Sequence, residues 1–370
     1  MTEVHPVDSR RAWKEFLELP YRLYRDSPYW VPPLRIQQKR IHDDRHPFYA
    51  QAEVRRFLAL QSSRTVGRVA AIIDHNSNRF RNEQAGFFGF LETVDQEEVA
   101  GALLDAAARW LRERGMRVMR GPMNPSTNYE CGLLVEGFDS GPCLMMPYNP
   151  PYYPPLVEQA GLRKLKDLYA YFTTATEIDV GKVERVANRA LAGNNVRIRS
   201  ARLDDFDAEI ERFFQLYNSA WSRNWGFTPI TREQVNFLAR ELKPLLDPDL
   251  ALLAEIGDRV VGCALAVADI NQALRHARGR LFPLGALKIL YYKRRIRRMR
   301  VLILGVIEEY SASGVAAALY AALFRNGLKA GYREGEFSWV LEDNVLMNRS
   351  LEAMGARRYK TYRIYEGELM

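Results

Sequence analysis

The sequence is poor in cysteine and histidine, and neither residue is arranged as a metal site. The three cysteines, Cys131, Cys143 and Cys263, occur without a C-x-x-C spacing. Their spacing argues against a zinc site and a disulfide framework, and it fits a reducing cytoplasm. The five histidines are scattered along the chain, as surface or capping residues are. We therefore expect a cytoplasmic chain without a metal cofactor.

Long apolar runs are also missing. No run approaches the ~20 residues that span a bilayer, and the first residues contain acids and no apolar signal core. The 370 residues are 47% hydrophobic and 26% charged, which is typical of a globular protein and is enough for two domains. A membrane contact is therefore expected only at the surface.

The positive charge is unevenly distributed. The net charge is +8, and ten Lys or Arg but no acid lie between Arg275 and Arg300. This density indicates an anionic partner, either nucleic acid, CoA phosphates or a membrane surface. Residues 280–300 mix cations with Leu, Ile, Phe and Tyr, which is typical of a membrane-surface helix. A solvated face is the plain alternative. Nucleic acid is not expected, because no helix-turn-helix, zinc-finger or RNP pattern accompanies the charge.

A strand, a glycine and a helix follow one another after the basic segment. The apolar run 301–307 predicts a buried strand. A polar turn then leads to Gly314 and a helix that begins at Val315. The free amides and the dipole of a helix N-terminus favour an anion, and small residues let a phosphate approach closely. An ordinary strand–helix connection has the same pattern, so this motif alone is a weak signal.

The elements beyond this helix give the motif a context. Residues 337–341 predict another strand, which is followed by Asn344, a helix, Gly355 and a last strand. This order resembles the second half of the GNAT fold of acyl-CoA N-acyltransferases. The N-x(10)-G pattern of that family matches Asn344 and Gly355. The tyrosine that often lies between them, a candidate acid toward the CoA thiolate, is Leu351 here.

The turn that binds the CoA pyrophosphate in that family reads R/Q-x-x-G-x-G/A. Residues 311–316 match it at Gly314 and Ala316, with Ser311 in place of Arg or Gln. The resemblance implies acyl-CoA as co-substrate, with a strand over 302–307 whose amides polarise the thioester carbonyl. The cofactor-binding residues that it implies are Leu304, Val306, Ile307, Ser313, Gly314, Val315, Ala316, Ala317 and Asn344.

The first half of the chain repeats the same order of elements. Alternating residues predict two antiparallel strands over 53–61 and 65–74, a third strand over 84–94, and a helix over 96–115. The turn after the third strand, TVDQEEV, is acidic where a pyrophosphate would lie. We expect an α+β fold of two GNAT-like halves, 1–178 and 179–370, each with a mixed, mostly antiparallel sheet flanked by helices. A helix over 180–192 is expected to open the second half, and only that half is expected to bind CoA.

The segment 121–155 is crowded with Pro, Gly, Asn and aromatic residues, so we expect no regular element in it. A pocket for an apolar substrate and a packed connector are equally good interpretations. In the GNAT fold, the region that corresponds to NSAWSRNWGF covers the acceptor, although capping of the core is an alternative. The substrate-binding candidates are Asn128, Tyr129, Asn218, Trp221, Trp225 and Tyr310. The amine must lose a proton to a nearby carboxylate, for which the unranked candidates are Glu130, Glu308 and Asp269.

Tandem halves with this middle segment resemble a bacterial group of N-acyltransferases that includes ceramide synthases. The resemblance implies acyl transfer from a long-chain acyl-CoA to a sphingoid base such as 3-ketosphinganine, which gives a 3-oxoceramide. A Met- and Tyr-rich segment suits an acyl chain, and a basic aromatic helix suits a lipid substrate at a membrane surface. Three alternatives remain: an acetyltransferase for a small amine or protein, an aminoacyl-tRNA-dependent transferase, and a non-catalytic CoA- or lipid-binding module.

Overall fold

The fold is described from a computed structural model. The structure describes residues 1–178, 181, 183–185, 187–188, 196–311 and 313–369. Much of the helix that the sequence predicts over 180–192 lies outside these residues.

The strands and helices have the following bounds. The strands are β1 (Glu3–Pro6), β2 (Ala52–Gln61), β3 (Arg64–Asp74), β4 (Ala85–Thr93), β5 (Val118–Gly121), β6 (Met123–Asn124), β7 (Glu130–Cys131), β8 (Leu133–Glu136), β9 (Arg163–Thr174), β10 (Val196–Ser200), β11 (Ala251–Ile256), β12 (Arg259–Ala268), β13 (Arg298–Val306), β14 (Glu334–Leu341) and β15 (Arg357–Glu368). The helices are α1 (Arg10–Leu23), α2 (Arg35–Ile41), α3 (His75–Arg81), α4 (Glu97–Arg112), α5 (Tyr153–Gln159), α6 (Phe206–Ala220), α7 (Arg232–Leu242), α8 (Asn271–Leu274), α9 (Gly285–Lys293), α10 (Val315–Lys329) and α11 (Val345–Ala353).

The chain forms two compact units. The first unit comprises Met1–Leu168, Ala273–Tyr291 and Lys360–Met370, and the second comprises Tyr169–Gln272 and Tyr292–Tyr359. The boundary at residue 178, which the sequence analysis placed between two GNAT-like halves, stays a prediction.

In the first unit, strands β1 to β4 pair antiparallel in chain order, and β5 pairs parallel with β4. The end of β15 closes this sheet by pairing antiparallel with β5. Helix α4 connects β4 to β5 and buries Val99, Leu103 and Leu111 in the core of the unit. These positions recur every three to four residues, so one helix face meets the sheet.

In the second unit, strands β10 to β13 pair antiparallel, and β14 pairs parallel with β13. Helix α10 connects these last two strands and packs Val315, Leu319 and Leu323 against the sheet. Both units thus contain four antiparallel strands, a helix and a parallel strand, in that order. The α+β fold class with mixed, mostly antiparallel sheets is confirmed.

Two predictions about local structure need correction. The segment 121–155 was expected to contain no regular element, yet it contains β6, β7, β8 and the start of α5. These short strands pair with residues that are distant in sequence or with each other, so local composition does not reveal them. Residues 280–300 are not one basic helix, because α9 ends at Lys293 and Arg298 begins a strand.

Among the described residues, no helix is both long and apolar enough to cross a bilayer.

Candidate functional site

The second unit contains an opening between two parallel strands. The pairs between β13 and β14 run from Arg298 and Glu334 to Val301 and Phe337. Strand β13 continues for five residues and β14 for four beyond the last pair, and within the described residues these ends do not pair with each other. We call residues 302–306 and 338–341 the strand opening. Main-chain groups that leave a ladder in this way become available to an extended ligand.

Side-chain burial changes at the same point. Val301 and Phe337 are buried, whereas residues 302–306 are all partly exposed. The register between β12 and β13 also shifts beside Leu302. A bulge of this kind bends a strand and redirects its side chains. The two ends are thus separated from one another next to a well-packed ladder.

Helix α10 begins beyond the carboxyl end of β13. Gly314 is its N-cap residue and has a φ of 80°, a conformation that glycine adopts without a steric penalty. The first bond of the helix joins Ala318 N to Gly314 O at 3.1 Å, so the amides of Val315, Ala316 and Ala317 precede that bond. No acid lies in the first turn. This helix start therefore has the features of an anion site.

The predicted cofactor residues lie around these two features. Leu304, Val306 and Ile307 follow β13 through the strand opening and pack partly on the core of the unit. The Ser313 hydroxyl donates to Tyr310 O at 2.6 Å, and this bond closes the turn before Gly314. The second unit thus brings strand, turn and helix start together in chain order.

Two predicted residues of this unit have structural contacts. Asn344 is the N-cap of α11, where its Oδ1 accepts from Met347 N at 3.2 Å. Tyr310 packs partly against the core that α10 covers. Their contacts with a cofactor or a substrate stay predictions.

An aromatic cluster covers the opposite face of β13. Trp221 lies on Gly305, where an added Cβ would be 2.1 Å from the indole Cη2. Tyr217 stacks on Trp221 at 5.2 Å between ring centroids and contacts Phe227 at 5.6 Å. The end of α6 and the loop after it therefore pack on the strand that forms one side of the opening.

Asn218 fixes the loop that carries Trp225. Its Oδ1 accepts from Ile230 N at 3.3 Å, and its Nδ2 donates to Ile230 O at 3.5 Å. Asn218 is therefore occupied with the main chain. Trp225 in this loop and Trp221 are both partly exposed.

The predicted carboxylates Glu308 and Asp269 lie at opposite ends of β13. Glu308 follows the strand, is exposed, and forms an ion pair with Arg223. Asp269 is buried, and its Oδ2 lies 3.8 Å from Nη1 of Arg298, at the paired start of the strand. The eight residue steps from Arg298 to Val306 correspond to about 26 Å of extended chain. The two acids therefore belong to different places.

A buried ion pair that the sequence analysis did not single out lies where the opening begins. Arg300 Nε lies 3.4 Å from Glu336 Oε2, and both side chains are almost fully buried. Arg300 also donates through Nη2 to Ser338 O at 3.0 Å. Val301 points into the core under α10, so the adjacent Arg300 points to the face on which α6 packs.

Burial raises the pKa of Glu336, and the Arg300 guanidinium opposes that rise. A carboxylate in such surroundings is suited to accept a proton near neutral pH. The signal in the sequence is a second charge two residues into each strand, at Arg300 in β13 and at Glu336 in β14. Charges of this kind are rarely buried unless they are paired.

In the first unit, Tyr129 is a packed residue. Its ring lies 5.6 Å from His46 and 6.1 Å from Phe48 between centroids. Burial raises the pKa of its phenol. Glu130 pairs with Asn124 in the small β6–β7 ladder, and Asn128 N donates to Ser126 Oγ at 3.3 Å. The roles predicted for Asn128, Tyr129 and Glu130 are not tested by these contacts.

In the first unit, a segment of the chain lies in the place that corresponds to the strand opening of the second unit. Strand β4 pairs with β5 only from Ala85 to Phe87. Beyond that point Gly89 faces β6, and an added Cβ would be 1.7 Å from Met123 O. Phe90 N donates to Asn124 Oδ1 at 2.6 Å. The segment that follows β5 thus occupies the gap beside β4.

Comparison with known proteins places the chain among acyltransferases. No family model matches it. It is 34% identical to the bacterial ceramide synthase of Caulobacter vibrioides over 377 residues, which covers 99% of this chain and 97% of that protein. It is 32% identical to protein YghO of Escherichia coli, with 96% of this chain and 93% of that protein covered.

Solved structures agree on the fold. A tandem GNAT protein from the clavulanic acid biosynthesis pathway superimposes with a TM-score of 0.58 at 12% identity, over 100% of this chain and 99% of that chain. A probable N-acyltransferase from Enterococcus faecalis V583 gives a TM-score of 0.53 at 8% identity, over 100% of this chain and 73% of that chain. The predicted tandem GNAT fold is confirmed.

Proposed function

Since this chain belongs to the family of the bacterial ceramide synthase, we propose that this N-acyltransferase moves a long-chain acyl group from acyl-CoA to a sphingoid base such as 3-ketosphinganine. The products are a 3-oxoceramide and free CoA. The observation that carries the proposed acyl transfer is the strand opening beside a helix that begins at Gly314. The choice of a sphingoid base rests on the name of the relative.

Acyl-CoA is proposed to bind along β13. The pyrophosphate contacts the first amides of α10, where the helix dipole stabilises negative charge. The pantetheine arm extends beside Leu304 and Val306 and forms main-chain bonds with the unpaired side of the strand. The thioester then lies near Leu302, where amides of the bulged strand polarise its carbonyl.

The proposed reaction is a direct transfer. The neutral amine attacks the thioester carbonyl, a carbon–nitrogen bond forms, the carbon–sulfur bond breaks, and the thiolate leaves as CoA. The amine must give up a proton, and we assign this proton to Glu336, because it lies at the start of the opening on the face where α6 packs. Glu308, Asp269 and Glu130 remain candidates for this role, which single substitutions to the amide rank by their loss of kcat.

The acceptor is proposed to enter on the face that α6 covers. Trp221 and Trp225 offer apolar surface for a long chain, and Asn218 and Tyr310 complete this side of the second unit. Asn128 and Tyr129 remain proposed contacts of the acceptor. The proposed location is the cytoplasmic face of a membrane, with residues 280–300 toward anionic lipid and without a nucleic-acid partner.

The test is release of CoA thiol by purified protein. Palmitoyl-CoA and acetyl-CoA are each combined with 3-ketosphinganine, sphinganine and a panel of polyamines, and the amide product is identified by mass spectrometry. We expect release only with palmitoyl-CoA and a long-chain base. Turnover of acetyl-CoA with a small amine would overturn the acceptor and keep the fold assignment. Binding of acyl-CoA without turnover of any acceptor would contradict the assignment as this enzyme.

A further inference from the structure

We propose that helix α9 and the loop before it insert into the surface of an anionic phospholipid membrane. This inference deepens the proposed function, because a membrane surface is where a long-chain acceptor resides. The sequence indicated a membrane-surface helix from its mixture of cations and apolar residues, and the structure adds which apolar side chains are exposed. Vesicle binding tests it without any turnover.

Exposed apolar side chains are concentrated in this one stretch. Phe282 is 87% exposed, and Leu287 is 63% exposed. Half of the large hydrophobic residues that are exposed in the described chain lie between Leu281 and Tyr291. A contiguous exposed apolar surface of this kind marks a site of protein or membrane contact.

The helix turns its apolar side outward. Leu284, Leu287 and Tyr291 are exposed and spaced by three and four residues, so they form one stripe. Gly285 is buried and Ile289 is partly buried, and they lie on the other side of the helix. A globular helix normally buries its apolar stripe, so the orientation of α9 is the reverse of the usual one.

The loop before the helix is held in place. Gly279 O accepts from Arg35 N at 3.0 Å, and an added Cβ on Gly279 would lie 2.9 Å from Pro33 O. Gly285 lies so close to Arg280 that its added Cβ would be 1.7 Å from Arg280 O. The exposed side chains are thus presented on a packed base, which spares part of the ordering cost of binding.

The charge around the stripe selects an anionic surface. Lys288 lies beside the stripe on α9, and no Asp or Glu occurs from Ala273 to Arg300. Beside the loop, a cavity of about 540 Å³ is lined by the cations Lys14 and Arg280 and by the acid Glu18, among others. Apolar insertion with flanking cations is the arrangement of interfacial helices that bind anionic lipid.

Co-sedimentation with vesicles tests the apolar contact. Vesicles of phosphatidylglycerol and phosphatidylcholine are compared with vesicles of phosphatidylcholine alone. We expect the double variant Leu287→Ser/Leu290→Ser to reduce the partition coefficient on the anionic vesicles at least about tenfold. Phe80→Ser, which also removes an exposed aromatic side chain, is the matched control and should bind like the parent protein.

Charge removal tests the choice of lipid. Arg280→Gln/Lys288→Gln should reduce binding to the anionic vesicles by about fivefold per charge. Arg10→Gln/Arg11→Gln removes the same charge from exposed positions on α1 and should have little effect. If both double variants lose the same amount of vesicle binding, the contact is not localised at α9 and the proposal is overturned.

A spin label measures insertion directly. The three native cysteines are buried, so Leu287→Cys is labelled selectively with a nitroxide. We expect the label to become accessible to oxygen and shielded from a water-soluble relaxant on anionic vesicles, whereas a label at Phe80→Cys stays in water. A Leu287 label that remains in water would overturn the proposal. So would a protein dimer that Leu287→Ser/Leu290→Ser dissociates while vesicle binding is unchanged, because a second copy would then cover this face.

Discussion

The two units use one order of elements but differ in what lies beside the fourth antiparallel strand, which is β4 in the first unit and β13 in the second. In the first unit, β6 packs against β4, with Gly89 against the Met123 carbonyl and Phe90 bonded to Asn124. In the second unit, the corresponding part of β13 separates from β14 after Val301. The gap beside this strand is therefore occupied by the protein's own chain in the first unit and is open to a ligand in the second unit.

The N-termini of the helices that follow these two strands also differ, and again the second unit is the one that favours an anion. Helix α4 carries Glu97 and Glu98 in its first turn, whereas α10 has none and begins at a glycine. The turn before α4 is also covered, because Thr93 N donates to the Tyr153 hydroxyl and Thr93 O accepts from that of Tyr152, both at 2.9 Å. Acids repel a pyrophosphate and the tyrosines occupy its place. We therefore expect one CoA site per chain.

The largest effect is expected from Gly314→Leu. A side chain at this N-cap would block the amides of α10 and oppose the φ of 80°, so the Kd for palmitoyl-CoA should rise at least about a hundredfold. Isothermal titration measures it. Gly331→Leu is the matched control, since Gly331 has a φ of 95° and open space around it. Equal losses in both variants would mean that backbone strain explains the effect.

Glu336→Gln is expected to remove proton transfer. General-base loss predicts a fall in kcat of about a hundredfold or more, with a small change in KM. Burial raises the pKa of Glu336, so the activity of the parent protein should increase as the pH rises through that pKa and the carboxyl group loses its proton. This rising limb of the pH–activity profile should be absent in the variant. Glu334→Gln on the same strand, which breaks a bond to Arg298, is the control. A retained limb would assign the proton to another group.

Gly89→Ala tests whether the first unit is filled. The new methyl would overlap the Met123 carbonyl, so the free energy of unfolding should fall by about 2–3 kcal/mol. Acyl-CoA affinity should stay unchanged. Gly101→Ala, at a helix position with open space, should be neutral or slightly stabilising. Denaturant titration compares the two, and equal stability would mean that the contact of β6 with β4 is loose.

Trp221→Ala is expected to act on the acceptor side. Removal of the ring from Gly305 should raise KM for the long-chain base about tenfold, with a smaller change for palmitoyl-CoA. Trp110→Ala in the first unit should leave both constants unchanged. Steady-state kinetics with each substrate varied in turn separates the two contributions, and an equal rise for both substrates would place Trp221 in general packing.

The smallest effect is expected from Glu97→Gln/Glu98→Gln. Loss of these acids should lower stability by at most about 1 kcal/mol through the α4 dipole. It should create no second CoA site, because Tyr152 and Tyr153 still cover the turn. If the titration yields two sites, the negative charge at the start of α4, and not the cover by the two tyrosines, excludes CoA from the first unit.

The sequence predicted the order of elements well, because apolar periodicity and Gly314 are local signals. It did not reveal that β6 fills the first unit, since that contact joins residues far apart in sequence. It also indicated that residues 280–300 mix cations with apolar side chains, but it did not reveal that Leu284 and Leu287 form part of one exposed stripe. Glu336 was missed because an acid near the start of an apolar strand acquires meaning only once Arg300 is seen beside it.

The most direct measurement counts acyl-CoA sites by isothermal titration with a non-hydrolysable palmitoyl-CoA thioether. We expect one site per chain, which Gly314→Leu removes and Gly331→Leu preserves. Two sites, or one site that persists in Gly314→Leu, would contradict the assignment of acyl-CoA to the second unit.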